Sequence, residues 1–175
     1  VRLGLADVEE RMWSRGSRLD RLRLQAMLLH NDPRVMVNRQ VMPHNDLFIG
    51  VLIDCSGSMS LNDNIEKAKL FAILLAEAIR TVDGIDARFF GFTNRTLFDC
   101  GTPAQCSVHA LEAGGGNNDA AALWHAAGEA RRSPRKSRLL VMISDGSPTD
   151  CTVSALKSLV QTLTRRMKIT CGQVA

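Results

Sequence analysis

The apolar positions of this chain follow two rhythms that alternate along its length. Phe48-Ile49-Gly50-Val51-Leu52-Ile53 and Leu139-Leu140-Val141-Met142-Ile143 are short, nearly unbroken apolar runs, as expected of parallel strands buried on both faces. Between them, Ile65 to Val82 repeats its apolar residues at helical spacing. Ala68, Phe71, Ala72, Leu75 and Ile79 are predicted to line one face of that helix, which Asp83-Gly84 ends. Ile85 to Phe92 reads as a strand, and Thr96 to Phe98 as a short edge strand after the Thr93-Asn94-Arg95 turn. An alanine-rich helix follows from about Ala120 to Ala130, then a helix over Val153 to Met167 and a last strand over Lys168 to Val174. Strands alternating with helices predict an α/β fold: a doubly wound, mostly parallel sheet with helices on both faces, right-handed crossovers and one short antiparallel edge strand.

The first 45 residues read differently, as an arm ahead of a main domain over residues 46–175. Leu5 to Leu29 is predicted to form one or two helices, since Leu19, Leu22, Met27 and Leu28 lie near helical spacing; Gly16-Ser17 is the candidate break and Asn31-Asp32-Pro33 the stop. Met36 to Met42 is expected as a strand or extended segment leading through Pro43-His44-Asn45-Asp46 into the first sheet strand.

Chemistry concentrates where the two apolar runs end. Asp54 sits at the carboxyl end of the first, where open α/β sheets place their ligands. Side chains at i, i+2 and i+4 of an extended segment point the same way, so Asp54, Ser56 and Ser58 can present oxygens to one point. The second run continues through Ser144 into Asp145-Gly146 and supplies another carboxylate at a neighbouring strand end. Between them, Gly114-Gly115-Gly116-Asn117-Asn118-Asp119 opens the alanine-rich helix, so that Asn117 or Asp119 would add a fifth ligand. Few charges and several neutral oxygens suit a hard cation, Mg²⁺ or Mn²⁺ with Ca²⁺ as the larger option, and leave positions for water or a partner.

These residues carry a resemblance. Asp54-x-Ser56-x-Ser58, a polar residue after a glycine loop, and Ile143-Ser144-Asp145-Gly146 resemble the metal-ion-dependent adhesion site of von Willebrand factor A (VWA) domains over roughly Asp46 to Val174. The resemblance implies a Rossmann-like VWA fold with one helix and strand more than this chain holds. It also implies a metal bound by Asp54, Ser56, Ser58, the loop residue and Asp145. Most family members have threonine as the loop ligand, where this chain has Asn117. Residues 117–126 and 140–150 further resemble the carboxy-terminal domain of the cobaltochelatase subunit CobT, as does Phe90-Gly91-Phe92-Thr93. That likeness implies an AAA+ ATPase partner of the MoxR or CobS type, in a machine that inserts Co²⁺ into a corrin ring.

Other chemistries fit less well. A haloacid-dehalogenase-type phosphotransferase would use Asp54 as nucleophile with an aspartate at position 56, but Ser56 is no proton donor. No GxSxG elbow surrounds Ser56 or Ser58, and no GxxxxGK[ST] is present to hold a nucleotide. The expectation is therefore a non-catalytic domain, with a Mg²⁺-dependent phosphoryl-transfer or hydrolytic enzyme using Asp54 and Asp145 as the alternative. His125 is expected to be a packing or surface residue.

Composition narrows the picture a little further. The chain is 45% hydrophobic and 23% charged, with no apolar run approaching the roughly 20 residues a membrane helix needs. Five cysteines without a CxxC read as reduced thiols of a cytoplasmic protein, Cys100 and Cys106 being the one pair spaced to join. Opening on Val1, the chain reads as a domain excised from a longer protein. A net charge of +4 gathers in the arm and in Arg131-Arg132-Ser133-Pro134-Arg135-Lys136-Ser137-Arg138, but 5% aromatic content with no tyrosine offers little for stacking on nucleic acid.

Overall fold

The computed structural model describes residues 4–16, 18–146 and 148–174. It divides into two compact units, Val1–Asn45 and Asp46–Ala175.

The first unit is built on a sheet, not on the predicted helices. Strand β1 (Gly4–Trp13) pairs antiparallel with a strand over Met36–His44, whose other edge takes β2 (Arg18–Leu19). With that long strand numbered β3, the order is β1-β3-β2. Among its described residues only Leu24–His30, α1, is an α-helix, following a 3₁₀ turn at Arg21–Arg23. The physical reason lies in the pattern of the first segment. Asp7, Glu9 and Arg11 alternate with Ala6, Val8 and Met12, which is a strand's period of two. Pairing with β3 from Gly4↔His44 to Trp13↔Met36 supplies the neighbour that decides between the rhythms. The leucine spacing that suggests a helix belongs only to the stretch after Leu19.

The second unit is the α/β domain. Strands β4 (Leu47–Asp54), β5 (Ile85–Phe92), β6 (Leu97–Thr102), β7 (Gln105–Cys106), β8 (Ser137–Ile143) and β9 (Ile169–Val174) form one sheet in the order β7-β6-β5-β4-β8-β9. The four strands β5-β4-β8-β9 run parallel, and β6 and β7 add antiparallel at one edge. That edge is longer than predicted: β6 reaches Thr102, and β7 pairs beyond it.

Helices α2 (Asn64–Arg80), α3 (Asp119–Arg132) and α4 (Val153–Arg165) cover the sheet from both faces. Ile49, Val51 and Ile53 of β4 pack toward Ala68, Ala72 and Ala76 of α2. On the other face, Phe48 and Leu52 meet Ala122, Ala126 and Ala130 of α3 and Leu163 of α4. Small residues at these crossings let helix and sheet approach closely, while the larger side chains come from the strands. This alanine row sets the rotation of α2, and it leaves Phe71 45% exposed rather than in the core where the apolar spacing had placed it. Among the described residues no helix is long and apolar enough to cross a membrane.

Candidate metal centre

Parallel pairing of β4 with β8 puts Ile53 opposite Ile143, so both chains leave the sheet side by side and carry Asp54 next to Ser144-Asp145. The Asp54 carboxylate is fully buried. Its Oδ1 accepts from the Ser56 backbone N–H at 2.8 Å, and its Oδ2 accepts from Ser144 Oγ at 2.9 Å and Asn117 Nδ2 at 3.0 Å. Beyond β4 the chain turns through a kinked 3₁₀ segment, Gly57–Asp63. Here Ser56 Oγ lies 3.0 Å from Ser58 Oγ, which donates to Asp145 Oδ1 at 2.8 Å. Asn64 Nδ2, at the start of α2, reaches Asp145 Oδ2 at 3.4 Å. Ser56, Ser58 and Asp145 thus form one connected row of oxygens, and Asp54 stands behind it.

The glycine loop is strapped to this turn by its backbone. Gly57 N–H donates to Gly115 O at 2.8 Å, Gly114 N–H to Cys55 O at 2.7 Å, and Asn94 N–H to Gly116 O at 2.8 Å. A Cβ on Gly116 would sit 2.9 Å from Thr149 Oγ1, so the approach of these two segments requires glycine. Thr149 then fixes Asn117. Its backbone N–H, which can only donate, gives to Asn117 Oδ1 at 2.7 Å, and its hydroxyl accepts from Asn117 N at 2.9 Å. The amide of Asn117 is thereby oriented with oxygen toward Thr149 and nitrogen toward Asp54.

Asp119 behaves differently. It opens α3, is 2% exposed, and its Oδ1 has no hydrogen-bond partner. Burial first, and the charge of Asp54 second, push its carboxyl up to about 6. A buried oxygen without a donor costs about 1–3 kcal/mol. It is the kind of site a cation relieves.

The donor set fits a hard divalent ion. Adjacent ligands of an octahedral Mg²⁺ at about 2.0–2.1 Å stand roughly 2.8–3.0 Å apart. The Ser56–Ser58 and Ser58–Asp145 oxygen separations are 3.0 and 2.8 Å. Among the described residues no three His, Cys, Asp or Glu side chains gather to hold a metal by themselves, so the hydroxyls are indispensable to any site here. Hydroxyl and carboxylate donors favour Mg²⁺, Mn²⁺ or Ca²⁺ over softer ions. His125 takes no part: it is exposed, with its ring edge-on to Phe90 at 5.6 Å between centroids. All five cysteines are free, and burial pushes the Cys55 and Cys100 thiols up to about 11.

Comparison with solved structures places this architecture. The chain is similar to a von Willebrand factor type A protein from Catenulispora acidiphila, with a TM-score of 0.61 and 20% identity over 78% of this chain and 34% of that one. The fold is of the von Willebrand factor A type. The SpRpn10 VWA domain is also similar, at a TM-score of 0.52 and 12% identity over 73% of this chain and 86% of that one. So is the PilB minor pilin from Streptococcus sanguinis, at 0.53 and 12% over 65% and 34%. The chain therefore spans about a third of the length of the first and the last of these. Identities this low carry the fold and nothing finer. No protein-family model matches the chain, and no curated protein does.

Sequence spacing does not single out Ser144, Thr149 or Asn64. Ser144 is legible only as the residue before Asp145, on the opposite side of the strand. Thr149 meets Asn117 across 32 positions of sequence, with no periodicity to announce the pair.

Proposed function

We propose that this VWA-fold domain is a non-catalytic, divalent-metal-dependent protein-interaction module. Ser56, Ser58 and Asp145 face the ion, Asp54 anchors the cluster from behind, and Asp119 supplies the loop oxygen. Asn117 acts as the positioning residue that holds Asp54. The observation that carries this reading is the row of Ser56, Ser58 and Asp145 oxygens at ligand spacing, with the buried, donorless Oδ1 of Asp119 within electrostatic reach of the buried Asp54. An open position on Mg²⁺ or Mn²⁺ then receives a carboxylate from a partner. The likeness of residues 117–126 and 140–150 to CobT makes that partner an AAA+ ATPase of the MoxR or CobS type, in cobalt insertion into a corrin ring or in a related remodelling machine.

The alternative, a phosphoryl-transfer or hydrolytic enzyme using Asp54 and Asp145, has less support. Asp54 is fully buried and its oxygens already accept three hydrogen bonds, which shields it from an incoming phosphoryl group. The test is a pull-down of a purified MoxR- or CobS-type ATPase in Mg²⁺ and in EDTA, with Asp145→Ala as the comparison. Retention in Mg²⁺ alone, lost in a variant whose melting temperature stays within a few degrees, is expected. Equal retention in EDTA would contradict metal dependence.

A further inference from the structure

Helix α3 runs over β4, the strand its alanine row packs on, with α4 beside it. Its outward side carries Trp124, which is 55% exposed although tryptophan gains more from burial than most side chains. One turn further on stands Gly128. After proline, glycine is the least favourable residue inside a helix, and it is usually kept where a neighbour needs the room. At Gly128 a Cβ would meet nothing within 4 Å, so no packing inside this chain calls for glycine in a helix otherwise rich in alanine. The missing side chain leaves a cleft of about 100 Å³ between Trp124 and Arg131, floored by the buried Ala127 and walled by Met167 just after α4. Charge around the cleft has one sign. Arg131 on α3, and Arg165, Arg166 and Lys168 on either side of Met167, are exposed and make no ion pair among the described residues; α4 contains no acid. The acid nearest in sequence, Glu129, is already held by Arg88 and Arg132.

We propose that this cleft is a second interaction surface, which takes an acidic segment of a partner protein by one Val, Leu or Ile side chain. It is distinct from the metal centre and needs no ion. The aliphatic anchor follows from size. An apolar cavity of about 150 Å³ holds a benzene ring, so the smaller cleft admits a branched aliphatic chain and excludes an aromatic one. Trp124 gives that chain a rigid apolar face to lie against, at little cost in conformational entropy, which is why tryptophan so often anchors interfaces. The acid follows from Arg131 in the cleft wall and from the three cations around Met167, whose charge no acid of this chain meets among the described residues. Helix dipoles favour cations at the carboxyl ends of α3 and α4, but they account neither for an exposed tryptophan nor for a glycine where alanine would fit.

The probe is a phage library of random peptides about 12 residues long, selected in EDTA on the whole chain and counter-selected on Gly128→Leu, which fills the cleft from the chain's own side. Enriched peptides are expected to carry Val, Leu or Ile within about four positions of Asp or Glu, the reach of one side of a strand or helix. Synthetic copies followed by fluorescence anisotropy should bind roughly tenfold or more weakly to Trp124→Ala and to Arg131→Glu, and again when their aliphatic residue is made Ala. Gly128→Ala should raise the melting temperature, because it replaces a helix-interior glycine where there is open space, and yet weaken the peptides. A glycine kept only for the fold would not separate the two readouts. No enrichment over Gly128→Leu, aromatic anchors in place of aliphatic ones, or anchors flanked by Lys and Arg would overturn the proposal. Binding to phosphatidylserine vesicles that Arg131→Glu abolishes, with no peptide enriched, would make a membrane the occupant. Self-association in sedimentation that Trp124→Ala abolishes would make it a second copy. Either result overturns the acidic segment. Every arm is run in EDTA, so failure here leaves the metal centre untouched, and absence of Mn²⁺ binding there leaves the cleft standing.

Discussion

At the amino ends of the parallel strands, Asp86 receives Arg135 through two hydrogen bonds of 2.8 and 3.0 Å, and Asp46 lies 3.9 Å from Lys136. At the carboxyl ends, Asp54 and Asp145 accept from hydroxyls and amides, Asp119 Oδ1 has no donor, and none of the three makes an ion pair among the described residues. The two ends of one sheet thus treat their acids in opposite ways. Charge at the amino ends is settled inside the chain and stays half-exposed, where such pairs contribute little. At the carboxyl ends Asp54 and Asp119 are buried beside an exposed Asp145 and none has a positive partner among the described residues, an arrangement that is costly for the buried pair unless something from outside supplies one.

The largest effect is expected from Asp54→Ala. It leaves the Ser56 N–H, the Ser144 hydroxyl and the Asn117 amide without their shared acceptor, a loss of about 2–4 kcal/mol in chemical denaturation. Calorimetry should then find Mg²⁺ and Mn²⁺ binding gone. Unchanged Mn²⁺ affinity in a folded Asp54→Ala would remove this residue from the site.

Acid titration of stability sharpens the contrast next. Asp119 has an ordinary carboxyl value of 3.8 when unfolded and about 6 when folded. Between about pH 4 and 6 the folded state therefore holds more protons than the unfolded one, and stability without metal falls as pH rises, by on the order of 1–3 kcal/mol. The stabilisation is fully present below the unfolded value and lost above the folded one. Asp54 is the charged group that faces Asp119. Saturating Mg²⁺ should flatten or reverse the slope by favouring the ionised form, and Asp119→Asn should abolish it. A slope that ignores Mg²⁺ would mean that Asp119 does not feel the ion.

A smaller change is predicted for Asn117→Thr. Threonine keeps a neutral oxygen but gives up the bridge between Thr149 and Asp54, so metal affinity should stay within roughly tenfold, or about 1.4 kcal/mol, by calorimetry. A drop beyond a hundredfold would make the amide itself essential to the ion. Least of all is expected from Asp86→Ala at the other end: less than about 1 kcal/mol in thermal melting and no change in Mn²⁺ affinity.

Much of this architecture is readable before any coordinates, and the exceptions have physical causes. The buried strands β4 and β8 announce themselves because apolar runs of that length have few other uses. Asp54, Ser56 and Ser58 stand out in sequence, but the strand ends at Asp54 and it is the 3₁₀ turn after it, not an extended period of two, that brings Ser56 and Ser58 together. The β1 strand escapes because its short alternating pattern competes with leucines at near-helical spacing further on, and only pairing with β3 settles the matter. Phe71 escapes because α2 is apolar around most of its circumference, so spacing alone cannot fix which side faces the sheet. The roles within the glycine loop escape for a third reason. Whether Asn117 offers oxygen or nitrogen is decided by Thr149, a residue 32 positions away that no local rule connects to it.

The central claim, that the carboxyl ends of the sheet form a divalent-cation site and the amino ends do not, is tested most directly by amide NMR spectra with substoichiometric Mn²⁺. Paramagnetic broadening falls off steeply with distance from the ion. The account predicts that the amides of Ser56, Ser58, Asn117, Asp119 and Asp145 broaden first, while those of Asp46, Asp86 and Arg135 remain sharp. Broadening centred on the amino ends, or none at Mn²⁺ concentrations that saturate ordinary carboxylate sites, would contradict it.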